Sequence, residues 1–240
     1  MRKLGILLAI MVGIVALWEW RFPSVTVRYR LSLHAEVDGR PASGSGVIEV
    51  VYGTRIPWLT NYSGGITIDI RGEAVALDLG ERGIMFALLK EGKHDRSGPE
   101  YTVPLNFAVS SGGIGTEDFA RIRDLGGQRN ILLDRLPLLV RFRDLNDPTT
   151  AEVVDPLDLA ASFGPGARLV RATLEIVSSG TWPFTSLGWP PSLAGVPVTR
   201  GIEERLPLMK QLDEERKVFR THHWADPYRA AYGHFRRGLQ

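Results

Sequence analysis

A strict alternation of apolar and polar residues over positions 25–38 constrains the fold of this chain more than any other feature. Seven apolar residues occupy the odd positions, and the even positions carry polar or charged residues. Successive side chains of a β-strand point to opposite faces, so a period of two predicts a strand with one buried and one solvated face. The body of the chain must therefore contain a β-sheet with a second layer packed on one side.

The same period returns in shorter runs separated by turn residues. Further strands are predicted at 45–53, 66–71, 75–79, 84–88, 101–109, 138–143, 151–154 and 168–177. The strands on either side of Gly72-Glu73 are expected to pair as a hairpin. In the last strand Val170 is expected to share a face with Ala172, Leu174 and Ile176. Nine short strands without a βαβ rhythm predict a mainly β fold, an antiparallel β-sandwich or barrel-like domain.

Short helices interrupt and follow the predicted strands. One is expected to begin at Thr116 as N-cap, and another covers 156–163. The C-terminal residues are charged and helix-prone, with an apolar stripe over 227–237 that favours packing on the sheet over docking to a membrane or partner. Ser97 is expected in an exposed turn. The resulting domains are an N-terminal anchor at 1–23, a β domain at 24–200 and a helical C-terminal appendage at 201–240.

The N-terminal segment has the character of a membrane anchor. Leu4–Trp18 carries no charge, and as a helix it would span about 22 Å of the roughly 30 Å hydrocarbon core. Arg2 and Lys3 precede it, and Trp18 and Trp20 provide interfacial aromatic rings, so these four residues are the expected membrane-interface anchors. No small-x-small cleavage site follows, which favours an uncleaved signal anchor. Arg2, Lys3 and the amino terminus lie directly beside the span and favour an N-terminus inside and the body outside the cytoplasmic membrane.

Charge and composition exclude several function classes. Residues 1–30 carry five basic residues against one acidic, and residues 200–240 carry nine against six, so both ends are basic. The acidic middle argues against a nucleic-acid-binding domain, whereas basic ends suit an anionic membrane surface. The absence of cysteine excludes disulfides, thiolate catalysis and cysteine-ligated metal.

No set of chemically active residues forms a convincing site in the sequence. His222, His223 and His234 are spaced too widely along one helix to share a metal ion without a bend. The glycine-rich stretch 110–116 lacks the P-loop and dinucleotide signatures. Asp69 and Asp78 could approach each other across a hairpin as a carboxylate pair, with the polar strand residues His34 and Glu36 nearby. The sequence therefore predicts no catalytic, cofactor-binding or metal-ligating residues and no cofactor.

The uncharged stretch 176–199 is the most distinctive segment of the body. It is rich in proline and glycine and contains Trp182, Phe184 and Trp189. These aromatic residues are candidate contacts for a partner or for the membrane interface. The alternative is that they fold back onto the domain core.

Two blocks of sequence resemble a known family. They are Ser43–Val50, read SGSGVIEV, and Val198–Pro207, read VTRGIEERLP, with the stretch 141–177 between them. Together they resemble a family of uncharacterised membrane-anchored proteobacterial proteins, over about half of the chain. The resemblance implies a bacterial envelope setting and no particular chemistry.

These observations lead to two functional hypotheses of different classes. The first is a single-pass protein of the bacterial inner membrane whose periplasmic β domain binds another envelope protein or component. The alternative is a membrane-anchored hydrolase acting on an envelope polysaccharide or peptide. A purely structural role in a membrane assembly is a third possibility, and the oligomeric state is open.

Overall fold

The computed structural model describes residues 6, 10, 11, 13, 14, 17, 18, 20–55, 65–94, 96–110, 113–181, 184–210 and 232–238. The described residues are mainly β and form two antiparallel sheets with short helices between the strands. The mainly β, sandwich-like fold predicted from the alternation is confirmed. The arrangement has a long sheet, a short sheet and a C-terminal layer.

The long sheet has six strands in the order β10-β3-β2-β1-β9-β6, and every neighbouring pair is antiparallel. The strands are β1 (Ser24–Val37), β2 (Arg40–Thr54), β3 (Ile66–Glu73), β6 (Gln128–Ile131), β9 (Ala167–Val177) and β10 (Arg236–Arg237). The β1–β2 hairpin turns at Asp38 and Gly39, both with positive φ. The Asp-Gly pair suits such a turn because both residues tolerate the left-handed region.

The short sheet has four strands in the order β4-β5-β7-β8. They are β4 (Val75–Asp78), β5 (Ile84–Ala87), β7 (Leu139–Phe142) and β8 (Ala151–Val153). One face of this sheet packs against the apolar face of β1, β2 and β9 and forms the main core. The alternation along β1 therefore separates a buried from a more exposed face as predicted, because Leu31 and Leu33 face this core and Ser32 does not.

The opposite face of the short sheet is covered by residues late in the chain. Phe86, Val140 and Phe142 pack there against Leu206, Phe235 and their neighbours, as a second apolar cluster. The covering segments include the helices Ile202–Arg205 and Tyr232–Phe235. The described part of the C-terminal region therefore packs on the β domain, and the remaining stretch 211–231 lies outside the described residues.

The predicted strand at 101–109 is wrong, because most of it is the helix α1 (Pro99–Asn106). Gly98 is its N-cap and Pro99 occupies the first turn, where the missing N–H of proline costs nothing. Val103 is fully buried, and the hydroxyl of Tyr52 donates to the carbonyl of Glu100 at 2.6 Å. Apolar residues at every second position suggested a strand, but the proline start and these contacts favour a short helix.

Two further details differ from the sequence prediction. Val170 does not share a face with Ala172, because the pairing of β9 with β1 shifts between His34 and Ala35 and leaves Val170 as the extra residue of a β-bulge. Val170 is exposed and Leu169 takes its place in the core. The helix after 115 begins with Gly115 as N-cap rather than Thr116, and Asp118 accepts a hydrogen bond from the Gly115 N–H at 3.1 Å.

The other helices are short and connect strands at the surface. After α1 these are α2 (Phe119–Arg123), α3 (Leu159–Phe163), α4 (Phe184–Leu187), α5 (Pro191–Ala194), α6 (Ile202–Arg205) and α7 (Tyr232–Phe235). Helix α3 confirms the prediction for 156–163, with Asp158 as N-cap and Gly164 at its end. Strand β6, which the sequence pattern did not reveal, is four residues long and mostly exposed.

The helix α7 and the strand β10 together join the two sheets. The carbonyl of His234 accepts from Leu89 N–H at 2.7 Å, and the carbonyl of Phe235 accepts from Ala74 N–H at 2.7 Å. Glu73 is buried, and its carboxylate binds both Arg236, with Nε at 2.7 Å, and the N–H of Ile202 at 2.9 Å. Burial, followed by the positive charges of Lys90 and Arg237, lowers the pKa of His234 to about 4.

The depressed pKa of His234 predicts an acid-sensitive C-terminal layer. The unfolded chain takes up a proton near pH 6.5 and the folded chain only near pH 4, so stability is present above pH 6.5 and is lost as the pH falls towards 4. We expect the urea midpoint to fall between pH 7 and pH 5, and His234→Gln to reduce that fall. An unchanged pH dependence in His234→Gln would contradict this assignment. His34→Gln, on the polar face of β1, is the matched control.

Candidate functional site

The N-terminal segment joins the β domain without an intervening linker. Residues 6, 10, 11, 14, 17, 18 and 20 are helical, and their large apolar side chains are exposed. Phe22 is buried; its N–H donates to the Trp18 carbonyl at 2.8 Å, and its ring lies 4.9 Å from the Trp18 ring. Two residues later β1 begins. In the described part of the chain, no helix has both the length and the apolar character to cross a membrane.

The sequence-predicted membrane anchors fall partly within this description. Trp18 and Trp20 are described and are exposed, by 49% and 78%. Arg2 and Lys3 lie outside the described residues. Wherever the structure describes residues 6–20, the β domain therefore leaves their large apolar side chains exposed.

The stretch after β9 is attached to the end of the long sheet nearest to this segment. Strand β9 ends at Val177, which pairs with Arg28, four residues into β1. Four residues of strand correspond to about 13 Å. The chain then returns to the sheet beside β2, where Val47 N–H donates to Thr199 Oγ1 at 2.8 Å and Thr199 N–H donates to the Val47 carbonyl at 3.1 Å. We call the connecting residues 178–198 the outer loop.

The outer loop is clamped to the polar face of the long sheet by a buried arginine. Arg28 Nη1 donates to the carbonyls of Val196 at 2.8 Å and Ala194 at 3.3 Å. The N–H of Arg28 donates to Ser179 Oγ at 2.9 Å. Both ends of the loop are thus bonded to Arg28 in the first half of β1. The return end is also held beside β2, through the contact of Thr199 with Val47. A loop held at several points in this way loses little further freedom when it binds a partner.

A glutamate from β2 supports the clamp. Glu49 Oε2 accepts from Arg28 Nε at 2.6 Å, and Oε1 accepts from Arg71 Nη1 at 3.2 Å. Arg28 is 8% exposed and Glu49 is 4% exposed, whereas the Arg71 side chain is half exposed. A charge buried this deeply is tolerated only with a partner and further hydrogen bonds, and the loop carbonyls supply those for Arg28.

The outer loop carries exposed apolar residues at its tip. Helices α4 and α5 lie within it, and Trp189 between them is 72% exposed, while Leu193 in α5 is 40% exposed. Phe184 is half-buried at the start of α4. Trp182 lies outside the described residues. The loop is therefore anchored at its ends, as a folded-back segment would be, yet Trp189 does not cap the core.

A cleft of about 590 Å³ separates the outer loop from the sheet. The sheet contributes Arg28, Glu49 and Arg71, the loop contributes Thr185 among mostly small and proline residues, and Arg200 follows the loop. Three arginines against one glutamate leave a net positive charge. An anionic group is the ligand class that such a lining attracts.

The residues of the carboxylate hypothesis are dispersed. The hairpin expected around Gly72-Glu73 is wrong, because β3 and β4 belong to different sheets. Asp69 on β3 and Asp78 on β4 therefore do not pair across a hairpin. On β1, Glu36 forms an ion pair with Arg168 at 2.7 Å.

The histidine and glycine-rich candidates lie largely outside the described residues. His222 and His223 lie outside the described residues, and so do residues 111 and 112 of the glycine-rich stretch. Among the residues that the structure describes, no cluster of three metal-ligating side chains occurs. His234 serves the C-terminal layer, where its carbonyl bonds to Leu89.

A second cleft of about 700 Å³ lies at the β8 edge of the short sheet. Its lining includes His94 and Asp134, whose Nε2 and Oδ2 atoms are 3.6 Å apart. No serine, threonine or tyrosine is among the described residues that line it. The His94–Asp134 pair therefore has no hydroxyl nucleophile beside it within the described lining. A histidine paired with a carboxylate serves many different reactions, so the pair alone does not assign one.

The sequence pattern identified the outer loop as unusual, but it did not identify the buried ion pair of Arg28 and Glu49 that holds the loop. Arg28 and Glu49 lie on the polar faces of their strands, where alternation places ordinary solvated charges. Both are buried, and residues about 150 positions later in the sequence pack over them. The sequence blocks 43–50 and 198–207 contain Val47 and Thr199, so the contact between these blocks is the return point of the outer loop.

Removal of the Glu49 charge is expected to destabilise the fold strongly. Glu49→Gln leaves the Arg28 guanidinium buried without a carboxylate partner among the described residues, at a cost of about 3–5 kcal/mol. Equilibrium urea unfolding measures the change. Glu175→Gln is the matched control: its partner is Arg30 at 2.7 Å, both side chains are well exposed, and the expected loss is below about 1 kcal/mol. Similar small losses in both variants would show that Glu49 is not a structural anchor.

Comparisons of this chain with protein-family models, with curated proteins and with solved structures each find no match.

Proposed function

We propose that this chain is a membrane-anchored binding module of the bacterial envelope. An apolar N-terminal helix holds it in the cytoplasmic membrane, and the β domain outside the membrane binds another envelope protein or component through the outer loop. One observation carries the proposal: a rigidly clamped loop with an exposed tryptophan is attached at the end of the sheet where the apolar segment enters.

The membrane attachment is supported by sequence pattern and by exposure together. Leu4–Trp18 contains no charge, and its described side chains are not covered by the β domain. Exposed apolar side chains on one segment need an apolar environment to cover them. The lipid bilayer provides that environment for a segment flanked by basic residues and tryptophan. The resemblance of the blocks 43–50 and 198–207 to membrane-anchored proteobacterial proteins supports the same setting.

The binding role is supported by the outer loop itself. Trp189 is a large aromatic side chain presented to solvent on a backbone that Arg28 and Thr199 hold in place. Aromatic anchors of this kind dominate the energetics of protein interfaces, and prior rigidity lowers the entropy lost on binding. The domain thus presents a preformed contact surface rather than a set of catalytic groups.

Cysteine labelling tests the topology. The chain has no natural cysteine, so a single introduced thiol gives the only signal. Ala161 is exposed in α3, and we expect Ala161→Cys to react with a membrane-impermeant maleimide once the outer membrane is permeabilised. Labelling that appears only after the cytoplasmic membrane is lysed would place the body in the cytoplasm and overturn the proposal.

Ser97→Cys provides the matched control for that experiment. Ser97 is not in an exposed turn as expected; it is 4% exposed, and its hydroxyl donates to the His94 carbonyl at 2.7 Å. The Ser97→Cys thiol should react only after denaturation. Labelling of both variants under native conditions would mean that the domain is unfolded in the preparation, so the two thiols together separate topology from folding.

Site-specific cross-linking tests the outer loop. A photoreactive residue in place of the exposed Ser192 should give a discrete cross-linked product in cells. Trp189→Ser should lower its yield about tenfold or more, because truncating an aromatic hot spot costs roughly 2 kcal/mol or more. Leu157→Ser, at an equally exposed apolar residue of the other cleft, should leave the yield unchanged. Equal yields from the parent protein and from both variants would show that the outer loop does not contribute to the interface.

A further inference from the structure

We infer that the cleft beneath the outer loop is a binding site for a phosphate group, carried by a phospholipid headgroup or by a soluble phosphate. The inference deepens the proposed function, and only its lipid source rests on the membrane attachment.

The lining charges favour a multiply charged anion. Arg28, Arg71 and Arg200 line the cleft together with one acid, Glu49. Both carboxylate oxygens of Glu49 are already engaged, Oε2 by Arg28 and Oε1 by Arg71. Glu49 therefore neutralises one guanidinium, and Asp69, which lies 3.5 Å from Arg71 Nε without lining the cleft, partly offsets a second, so the lining keeps a net positive charge. Guanidinium groups in this number match the oxygens and charge of a phosphate.

Donor groups remain available around the cleft. Each guanidinium has five N–H groups. Within the described residues, Nη2 of Arg28 and of Arg71 has no acceptor, and Arg200 has no hydrogen-bonding or ionic partner. Arg28 is 8% exposed, so part of its side chain is accessible to solvent. The cleft that Arg28 lines provides that access.

The geometry is fixed before a ligand arrives. Arg28 is held through Nε and Nη1 by Glu49 and by two loop carbonyls. Its remaining donors therefore point from a rigid base, as an anion site requires. Arg200 lies beyond the loop, one residue after the Thr199–Val47 contact, and adds a solvent-facing guanidinium at the rim. A volume of about 590 Å³ accommodates more than a bare phosphate, which leaves room for a substituent on it.

The position of the cleft connects it with the membrane. Arg28 and Arg71 lie in the part of the sheet where β1 begins, because both pair with Glu49, and Arg28 is close in sequence to the apolar N-terminal segment. Basic groups near an anionic bilayer surface are attracted to its phosphates. A phosphate-bearing headgroup bound here would hold the outer loop in a fixed relation to the membrane.

Thermal unfolding of the full chain in maltoside micelles, which contain no phosphate, tests the inference. The midpoint is measured with increasing inorganic phosphate or short-chain phosphatidylglycerol, at an ionic strength kept constant with sodium chloride. A ligand that binds the folded state raises the midpoint in a saturable way. Sodium acetate at the same ionic strength is the control for a general carboxylate or salt effect.

Variants of exposed arginines locate the effect. We expect Arg200→Gln to weaken the apparent affinity roughly tenfold, since one charge-assisted contact is lost while the exposed side chain leaves the fold intact. Arg171→Gln, on the same face of the sheet, and Arg205→Gln, in α6, are matched controls, because both residues are exposed and neither lines the cleft. The midpoint of each variant without ligand verifies that it is folded.

The outcomes separate the sources of the phosphate. A saturable rise with both probes supports the site and shows that phosphate alone suffices, whereas a rise with phosphatidylglycerol alone supports a lipid headgroup. No rise with either probe, an equal rise with acetate, or an equal loss in Arg171→Gln and Arg200→Gln would overturn the inference. The inorganic phosphate measurement does not depend on topology, so its failure is distinct from a failure of the cysteine labelling.

Discussion

The difference between the two faces of β1 is the constraint on which the rest of the structure depends. Its apolar face needs a cover along fourteen residues, and the short sheet, α1 and α2 provide it. Its other face carries a charge or a polar group at every position, including Arg28. Water covers most of that face. A segment that covers the remainder must satisfy those charges, because an unpaired buried charge is far more costly than an exposed one.

Two buried carboxylates show how the late segments meet this requirement. Glu49 binds Arg28, which in turn binds the carbonyls of the outer loop. Glu73 binds Arg236 and the N–H of Ile202, and so joins the C-terminal strand and α6 to the end of β3. In each case a strand residue early in the chain fixes a segment more than a hundred residues later. Each carboxylate is surrounded by several donors, which is the condition under which a buried ion pair is tolerated.

The same clamps determine what the surface presents. The outer loop is rich in glycine and proline, and in isolation such a segment would sample many conformations. Hydrogen bonds from Arg28 to Ser179, Ala194 and Val196, together with the contact of Val47 with the adjoining Thr199, limit that freedom, so Trp189 is exposed on a defined backbone. The cleft beneath the loop exists for the same reason. Contact surface and cationic cleft are thus two consequences of one clamp.

The accuracy of the strand predictions followed the strength of the local pattern. The long β1 and the pairs at 66–71 and 75–79 were recognisable because alternation and turn residues agree there, although the hairpin between the latter two was not formed. Alternation failed at 101–109, where proline at the N-terminus and tertiary contacts through Tyr52 favour a helix. It failed again at Val170, because a bulge adds one residue and reverses the faces beyond it. Strand β6 has no pattern of its own and exists through pairing with β9.

The sequence by itself determined that the body is a two-faced β structure, that its first segment is apolar, and that residues 176–199 differ from the rest. These are local properties, since periodicity, charge and composition act within a few residues. Only the tertiary structure decided that β3 and β4 part into different sheets, that Arg28 and Glu49 are buried and that they support the outer loop. Those outcomes depend on contacts between residues about 20 to 170 positions apart, and the burial of a charge is a property of what covers it rather than of the strand that carries it.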